Sequence, residues 1–597
     1  MKSAINYSQR HSGGIMSNSK HMMQIQPNSP AIHIDNLTFS YPVSKALVLK
    51  NISQTIMPGE FILLIGPSGC GKSTVSLCLN GIIPHNIGGN LEGRVEVFGW
   101  SPADHEVYEM ATRVGIVFQD ADSQICNIFI SDEIAFGAQN LLVPKGEILK
   151  RMENVLSAVG LKNMQDRPVF NLSGGQKQRL AIGSVLAMEP LVMVFDEPTA
   201  NLDPQGTLEV HNLIRQLNKE NKVTSIVIEH DISHFVEVAD RIIVMSQGEI
   251  VLEGPPREIL SKHSQFLREE LGLWIPGACV FAIECKRMGY SLEPFPLVTD
   301  EIKVDDLEFT TNNTIPDNQV KINQEPIIDI RNVSFSYIPG KEVLHDISLK
   351  VEKNSILAIV GQNGSGKTTL TSLLIGLQRP NSGSIDVAGI DAAKASIHDL
   401  SRKVGYVFQY PEHQFVTDSV YDEVAFSLRG AGIRESEVKQ RVMEMLTRFQ
   451  LATFTERHPF ALSRGQKRRL SVASMLVLRP EIFILDEPTT GQDWRNVVNL
   501  MDILKGLHEE GLTIILVTHS MDLVAEYTGR VIVMKEGKLV FDGTPSQLFS
   551  REEGVAKNYE LEIPTIYQLT NRIRKQRPNL PVINNLPELA SHLEKIK

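Results

Sequence analysis

Two short stretches carry residue types that can grip a chain of phosphates. The first, Gly66, Pro67, Ser68, Gly69, Cys70, Gly71, Lys72, Ser73 and Thr74, follows the apolar run Phe61–Ile65. The second, Gly361, Gln362, Asn363, Gly364, Ser365, Gly366, Lys367, Thr368 and Thr369, follows Ser355–Val360. Both read G-x-x-x-x-G-K-S/T at the end of an expected strand. The glycines let main-chain N–H groups curl around phosphate oxygens, and Lys72 or Lys367 reaches the terminal phosphates. The hydroxyl of Ser73 or Thr368 is placed for Mg²⁺ at the start of a helix. A chance Gly-rich turn is the plain alternative. The strand before each loop and the helix-like residues after it, Val75–Leu79 in the first, oppose that alternative.

Further along, each half offers acid–base chemistry. Asp196-Glu197-Pro198 and Asp486-Glu487-Pro488 each end an apolar strand. An aspartate there can hold Mg²⁺ through water, and the adjacent glutamate can orient or deprotonate an attacking water. After one more strand come His230 and His519, each able to hydrogen-bond a γ-phosphate; a lone histidine at a strand end is more often structural. Upstream lie Leu172-Ser173-Gly174-Gly175-Gln176 and Leu462-Ser463-Arg464-Gly465-Gln466. Ser-x-x-Gln before a helical run is a capping box, with the serine as N-cap. Glycine and a hydroxyl at a helix N-terminus also make an anion site. Each half already has one phosphate loop, so the second anion site is expected to serve the other half's phosphates, in a head-to-tail pairing.

The elements that must position these groups repeat. The pairs Gln119/Gln409, Ser173/Ser463 and Glu197/Glu487 are each 290 residues apart, Lys72/Lys367 are 295 apart and His230/His519 are 289 apart. Two tandem copies follow, with five extra residues in the first, expected near Pro84–Glu92. Short apolar strands alternate with helical stretches in both copies. This predicts an α/β fold of two tandem domains, each a mainly parallel, covered sheet with an antiparallel β portion and an inserted helical subdomain between the glutamine and the capping box. Tyr41 and Tyr337 lie shortly before the two phosphate loops, where an aromatic ring can stack on a base; a core tyrosine at a strand end is the plain alternative.

The expected divisions are a disordered tail over 1–29, a first domain over 30–272 and a small appendix over 273–302. A linker over 303–325, a second domain over 326–555 and a second appendix over 556–597 follow. The appendices are matched on Leu273-Trp-Ile-Pro276 and Leu561-Glu-Ile-Pro564. The basic cluster Arg572, Arg574, Lys575 and Arg577 reads as a solvated face, with contact to acidic lipid or a partner as the sharper alternative.

Composition narrows the class. A chain of 597 residues exceeds one core, and 42% hydrophobic with 22% charged residues is ordinary for a globular protein. The net charge of −11 opposes nucleic-acid binding, which relies on cationic surface. No run approaches the ~18 apolar residues of a membrane helix. The cysteines Cys70, Cys78, Cys126, Cys279 and Cys285 form no C-x-x-C pair, and scattered reduced thiols fit a cytosolic chain.

With these motifs in place, the chain resembles two fused ATP-binding-cassette (ABC) ATPase domains. The resemblance implies ATP and Mg²⁺ as ligands and two composite sites. One would use Tyr41, the loop from Gly66 to Thr74, Gln119, Asp196, Glu197 and His230, closed by Ser463, Gly465 and Gln466. The other would use Tyr337, the loop from Gly361 to Thr369, Gln409, Asp486, Glu487 and His519, closed by Ser173, Gly174, Gly175 and Gln176. Glu197, Glu487, His230 and His519 would be catalytic; Ser73, Gln119, Asp196, Thr368, Gln409 and Asp486 would hold Mg²⁺. Asp203 and Asp493 fall where the family's inter-domain loop crosses. Arg464 departs from the family pattern by setting a long cation beside the γ-phosphate of the Lys72 site, which is expected to close differently. Cys70, opposite Ser365, is a second asymmetry, expected to place a thiol in the pocket.

A second glutamine five residues after the first, Gln124 and Gln414, resembles the short helix of energy-coupling-factor (ECF) ATPases, as do the appendices. That resemblance implies a peripheral protein on the cytoplasmic face of the cell membrane. Its partners would be an integral-membrane coupling subunit and a small substrate-binding membrane subunit, with no nucleic acid. The chain is also similar to fused ATPases assigned to thiamine or hydroxymethylpyrimidine import; cobalt, nickel or another vitamin is an alternative cargo. A tandem ATPase of another importer, such as a sugar transporter, a ribosome- or nucleic-acid-acting ABC protein and a non-hydrolysing scaffold are the competing readings.

Overall fold

The computed structural model of the protein describes residues 29–42, 46–200, 202–221, 223–307, 309, 326–549, 555–577 and 580–593. The tail expected over 1–29, Ser29 apart, and linker residues 308 and 310–325 lie outside them.

In the first copy the runs FILLI (Phe61–Ile65), VMVFD (Val192–Asp196) and TSIVI (Thr224–Ile228) are apolar without alternation and buried almost throughout. Such runs suit strands covered on both faces, which is where parallel sheets occur. The six-stranded sheet runs Val114–Val117, Val192–Asp196, Thr224–Ile228, Phe61–Ile65, Arg241–Ser246, Glu249–Gly254. Its first five strands are parallel, and the last is antiparallel to its neighbour. Adjacent to it lies a three-stranded antiparallel sheet of Leu49–Ile56, Ile32–Ser40 and Asn90–Val97. The second copy repeats this path, its core order being Val404–Val407, Ile482–Asp486, Thr513–Val517, Ile356–Val360, Arg530–Lys535, Lys538–Gly543. Its antiparallel sheet gains a short fourth strand, Ile390–Asp391.

This order determines where chemistry can occur. The Gln119 loop, Asp196-Glu197, His230 and the first phosphate loop leave the carboxyl ends of four adjacent parallel strands. That crevice is where open α/β sheets bind ligands. The inserted helical subdomain is present in both copies, as Ile130–Asn140 with Lys145–Ala158 and as Val420–Gly430 with Glu435–Arg448. The extra segment of copy one carries a four-residue helix, Ile82–His85.

The two appendices form one core. Helix Gly277–Arg287 meets helix Thr565–Gln576 so closely that a Cβ on Gly277 would lie 2.3 Å from Thr565 Oγ1. Thr299 Oγ1 donates to Gln568 Oε1 at 2.7 Å. Ile302, Val304, Leu307 and Phe309 are buried in the same cluster as Phe281, Tyr567 and Leu569. The stretch expected to begin a linker at Lys303 is therefore part of this core as far as Phe309. The three arginines of the basic cluster are not a solvated face either, whereas Lys575 is exposed. Arg572 donates to the carbonyls of Thr299 and Ile302 (2.6 Å each), Arg577 to Phe309 (2.9 Å) and Arg574 to Pro581 (2.7 Å). Among the described residues no helix is long and apolar enough to cross a membrane.

The copies also touch near their catalytic ends. Trp274 of the first appendix donates its indole N–H to Gln492 O at 3.1 Å, and Arg495 donates to Glu270 O at 2.8 Å. Arg268 stacks over Trp494, 4.6 Å from its ring centre.

Candidate functional site

The phosphate loops are tight because their first glycines must be. Gly66 (φ 157°) and Gly361 (φ 142°) sit where a Cβ would lie 2.2 Å and 2.1 Å from the carbonyl oxygens of Met245 and Met534. Each loop runs into a helix that begins at its lysine, Lys72–Leu79 and Lys367–Leu374. Lys72 Nζ donates to Gly66 O at 2.7 Å, and Lys367 Nζ to Gly361 O at 2.6 Å. Both ammonium groups are thus folded back over their own loops. Tyr41 and Tyr337 lie beside the loops, their hydroxyls 3.1 Å and 3.2 Å from those of Thr74 and Thr369. The Cys70 Sγ lies 4.0 Å from Lys72 Nζ. The thiol is buried against the core, beside the phosphate-gripping ammonium and closed to solvent.

The acid–base groups converge as expected. In copy one, Glu197 is bonded by His230 Nε2 (2.9 Å) and by Gln119 Nε2 (2.7 Å). In copy two, His519 Nδ1 lies 2.8 Å from Glu487 Oε2. Both glutamates sit at φ 48°, in the left-handed region that a non-glycine residue enters at a cost. Strain of this kind collects at functional sites. Burial alone would raise the Glu197 carboxyl. His230, Lys72 and Arg464 more than offset that and hold it below the usual range. Burial likewise works against a charged His519, yet Glu487 beside it raises the imidazole above its ordinary value. A carboxylate held ionised against an imidazole, one strand away from a phosphate-gripping lysine, can take a proton from water attacking a phosphoryl group.

Oxygen donors suited to Mg²⁺ stand next to these groups. Ser73 lies close enough to Asp196 to lower its carboxyl against the rise that burial brings, and Thr368 Oγ1 lies 3.3 Å from Asp486 Oδ2. Hard oxygen ligands beside a phosphate site fit Mg²⁺ chemistry. Around Lys367 these residues line a cavity of about 180 Å³ with Asn363, Gln409, Glu487 and His519. Leu202 of copy one lines it too, and Asp203 Oδ2 of copy one accepts the Asn363 N–H at 3.2 Å. The two halves therefore meet over this site. Both capping boxes form as expected. Ser173 and Gln176 exchange bonds of 3.3 and 3.1 Å at the start of helix Gly174–Leu186, and Ser463 and Gln466 exchange bonds of 3.4 and 2.9 Å before Arg464–Leu476. The side chain of Arg464 lies over Gly491 of its own copy, where a Cβ would come within 2.0 Å of Nη1, and its charge reaches Glu197 of the other copy.

Comparison with known proteins agrees with this geometry. The family model described as "ABC transporter" matches residues 49–200 and 344–490, once in each copy. The chain belongs to the ABC transporter ATPases. A chain of Methanosarcina acetivorans described as an ABC transporter ATP-binding protein is 39% identical, over 95% of this chain and 94% of its own length. One of Bacillus subtilis described as the HMP/thiamine import ATP-binding protein YkoD is 37% identical, over 90% of this chain and 95% of its own. The solved CbiO1 of Clostridium perfringens, described as part of the ABC transporter complex cbiONQ, is 34% identical with a TM-score of 0.37, over 41% of this chain and 99% of its own. Both halves of this ABC protein are thus ATP-hydrolysing cassettes.

Within the cassettes, three partners of the site escape a motif search. Tyr406 donates its hydroxyl to Asp486 Oδ2 at 3.0 Å; copy one has Ile116 there. Arg468 replaces Gln178 and bonds three main-chain carbonyls around Glu487. Glu229, where copy two has Thr518, is buried next to His230 and accepts a 2.7 Å bond from Thr199. Aligning the copies at their 290- and 289-residue offsets exposes all three as mismatches.

Proposed function

We propose that this chain is the energy-coupling ATPase of an ECF-type importer, working on the cytoplasmic face of the cell membrane and powering uptake of a vitamin or vitamin precursor. The observation that carries the reading is a pair of matched apolar surfaces. Phe136 and Phe170 in copy one are 45% and 73% exposed, and their counterparts Phe426 and Phe460 are 57% and 52% exposed. Exposed large apolar side chains at equivalent places in both copies favour two similar docking sites for one membrane partner. Each surface adjoins the segment after Gln119 or Gln409. There Gln124 accepts the Phe118 N–H at 3.0 Å and Gln414 the Phe408 N–H at 3.4 Å. Buried Glu133 and Glu423 then pin the next turn by accepting its main-chain N–H groups. A helix of a membrane coupling subunit seated in each groove would feel any movement of that segment.

The residues would act as follows. Lys72 and Lys367 turn from their loop carbonyls to the terminal phosphates of ATP, and the loop N–H groups cradle the remaining oxygens. Ser73 with Asp196 and Gln119, and Thr368 with Asp486 and Gln409, would hold Mg²⁺, which supplies neutralising charge. Glu197 and Glu487 accept the proton of the attacking water, held in place by His230 and His519. The capping-box N-termini at Ser463 and Ser173 meet the phosphates of the opposite copy only when the copies close, so binding energy becomes closure. Hydrolysis and release then let the copies part. Among cargoes, thiamine or hydroxymethylpyrimidine is favoured by the similarity to the Bacillus subtilis HMP/thiamine import ATP-binding protein.

The test is purification of the tagged chain from its own membranes in mild detergent, with mass spectrometry. Two small integral-membrane proteins are expected to accompany it, and to be lost from a Phe136→Glu, Phe426→Glu variant. Recovery with ribosomes or nucleic acid, or with the components of a sugar importer, would overturn the reading.

A further inference from the structure

Arg468 is buried, only 2% exposed, within the helix Arg464–Leu476. Taking a guanidinium out of water is costly unless its donors are paired, ordinarily with a carboxylate. Here no carboxylate hydrogen-bonds it among the described residues. Nη1 donates to Phe408 O at 2.7 Å, and Nη2 donates to Gln409 O at 2.6 Å and to Glu487 O at 2.9 Å. Nε is buried without a partner. Burial and neighbouring Arg464 lower the group to about 10, which leaves it charged at neutral pH. The cation therefore gives up water for three main-chain carbonyls, two in the Gln409 segment and one at the strained turn that carries the catalytic glutamate. At the same place in copy one, Gln178 makes a single 3.3 Å bond to Phe118 O and none to the main chain of Glu197, whose tie to that segment is the side-chain bond from Gln119.

We propose that Arg468 is a positioning residue that fastens the Gln409 segment to the main chain of Glu487, so that copy two alone has the main chain of its catalytic glutamate tied to the partner-facing groove. The proposal rests on the ATPase chemistry of the cassettes. It draws on the importer reading only for what sits in the groove. Three bonds from one planar group fix two loops relative to each other, which one amide at 3.3 Å does not do. A displacement of Phe408–Phe415 would then move the main chain of Glu487 against its phosphate site, whereas the matching displacement in copy one would reach Glu197 only through the Gln119 side chain. The two cassettes would differ in coupling although each has its full catalytic set.

Hydrogen exchange of the purified full chain reads this without any membrane partner. In Arg468→Gln, amides of Phe408–Phe415 and of the Glu487 turn are expected to exchange about tenfold faster, with Phe118–Ile125 unchanged. The reciprocal Gln178→Arg is expected to slow exchange over Phe118–Ile125. Arg468→Lys, with one compact ammonium, is expected to recover less than half of the lost protection. In steady-state assays Arg468→Gln should lower kcat and leave the KM for ATP nearly unchanged. Wild-type exchange in Arg468→Gln, equal loosening of both copies, or full rescue by lysine would each overturn the proposal.

Discussion

Glu229→Gln is expected to stabilise the protein in a pH-dependent way, because the native carboxyl is held in its neutral form. Burial, with Glu197 and Asp231 nearby, pushes Glu229 up to about 8, against the hydrogen bond from Thr199. Unfolded, the same group titrates near 4.3. Between these values the native state holds a proton that the unfolded state has released, so stability falls as pH rises through that window and levels off above it. Each unit of difference corresponds to about 1.4 kcal/mol, so raising pH from 5 to 8 removes roughly 2–4 kcal/mol. Glutamine keeps an oxygen for Thr199 and has nothing to ionise. For a domain of this size the difference amounts to roughly 5–12 °C in Tm at pH 8, shrinking to about 2 °C at pH 5. The assay is differential scanning calorimetry of wild type and variant at four pH values across this range. A Tm difference that does not change with pH would show that Glu229 is ionised in the native protein and refute the reasoning.

Single Glu197→Gln and Glu487→Gln variants are expected to lose unequal fractions of steady-state ATP turnover, since Arg464 faces the Glu197 site while Tyr406 and Arg468 support the other; equal losses would contradict this asymmetry. Tyr406→Phe removes a hydrogen bond to Asp486, the carboxyl proposed to hold Mg²⁺, a contact worth about 0.5–1.5 kcal/mol. Fluorescent-nucleotide titration should show the Mg²⁺-dependent gain in affinity at the Lys367 site falling roughly two- to tenfold, and the gain measured against EDTA should not move in Ile116→Val.

Much of this molecule is legible in its residues. The phosphate loops, the Asp-Glu pairs and the capping boxes are local, and the constant spacing between the copies reveals the tandem architecture without any tertiary information. The carboxyl-end crevice follows once the apolar runs are taken as parallel strands. What the residues alone did not disclose depends on contacts between distant segments. Asn/Asp/Thr-rich residues after Phe309 suggest a linker, but the preceding Ile302, Val304, Leu307 and Phe309 find a core only because the second appendix supplies one. Arg572, Arg574 and Arg577 read as a solvated face, since nothing in their composition shows the carbonyls they bond. Cys70 occupies a pocket-loop position, yet nothing local shows that its thiol is buried in the core beside Lys72. The partners of Tyr406, Arg468 and Glu229 lie 80, 19 to 60 and 30 residues away along the chain, beyond the reach of any local motif.

The claim that each nucleotide site is shared between the copies is tested most directly by photolabelling with 8-azido-ATP and mapping the labelled peptides in a Ser463→Arg variant. Ser463 belongs to copy two, and its helix N-terminus is assigned to the phosphates held by Lys72. The expected result is loss of label from the copy-one peptide containing Tyr41, with labelling of the Tyr337 peptide retained. Loss confined to the Tyr337 peptide would mean that each copy closes its own site, and would contradict the head-to-tail arrangement.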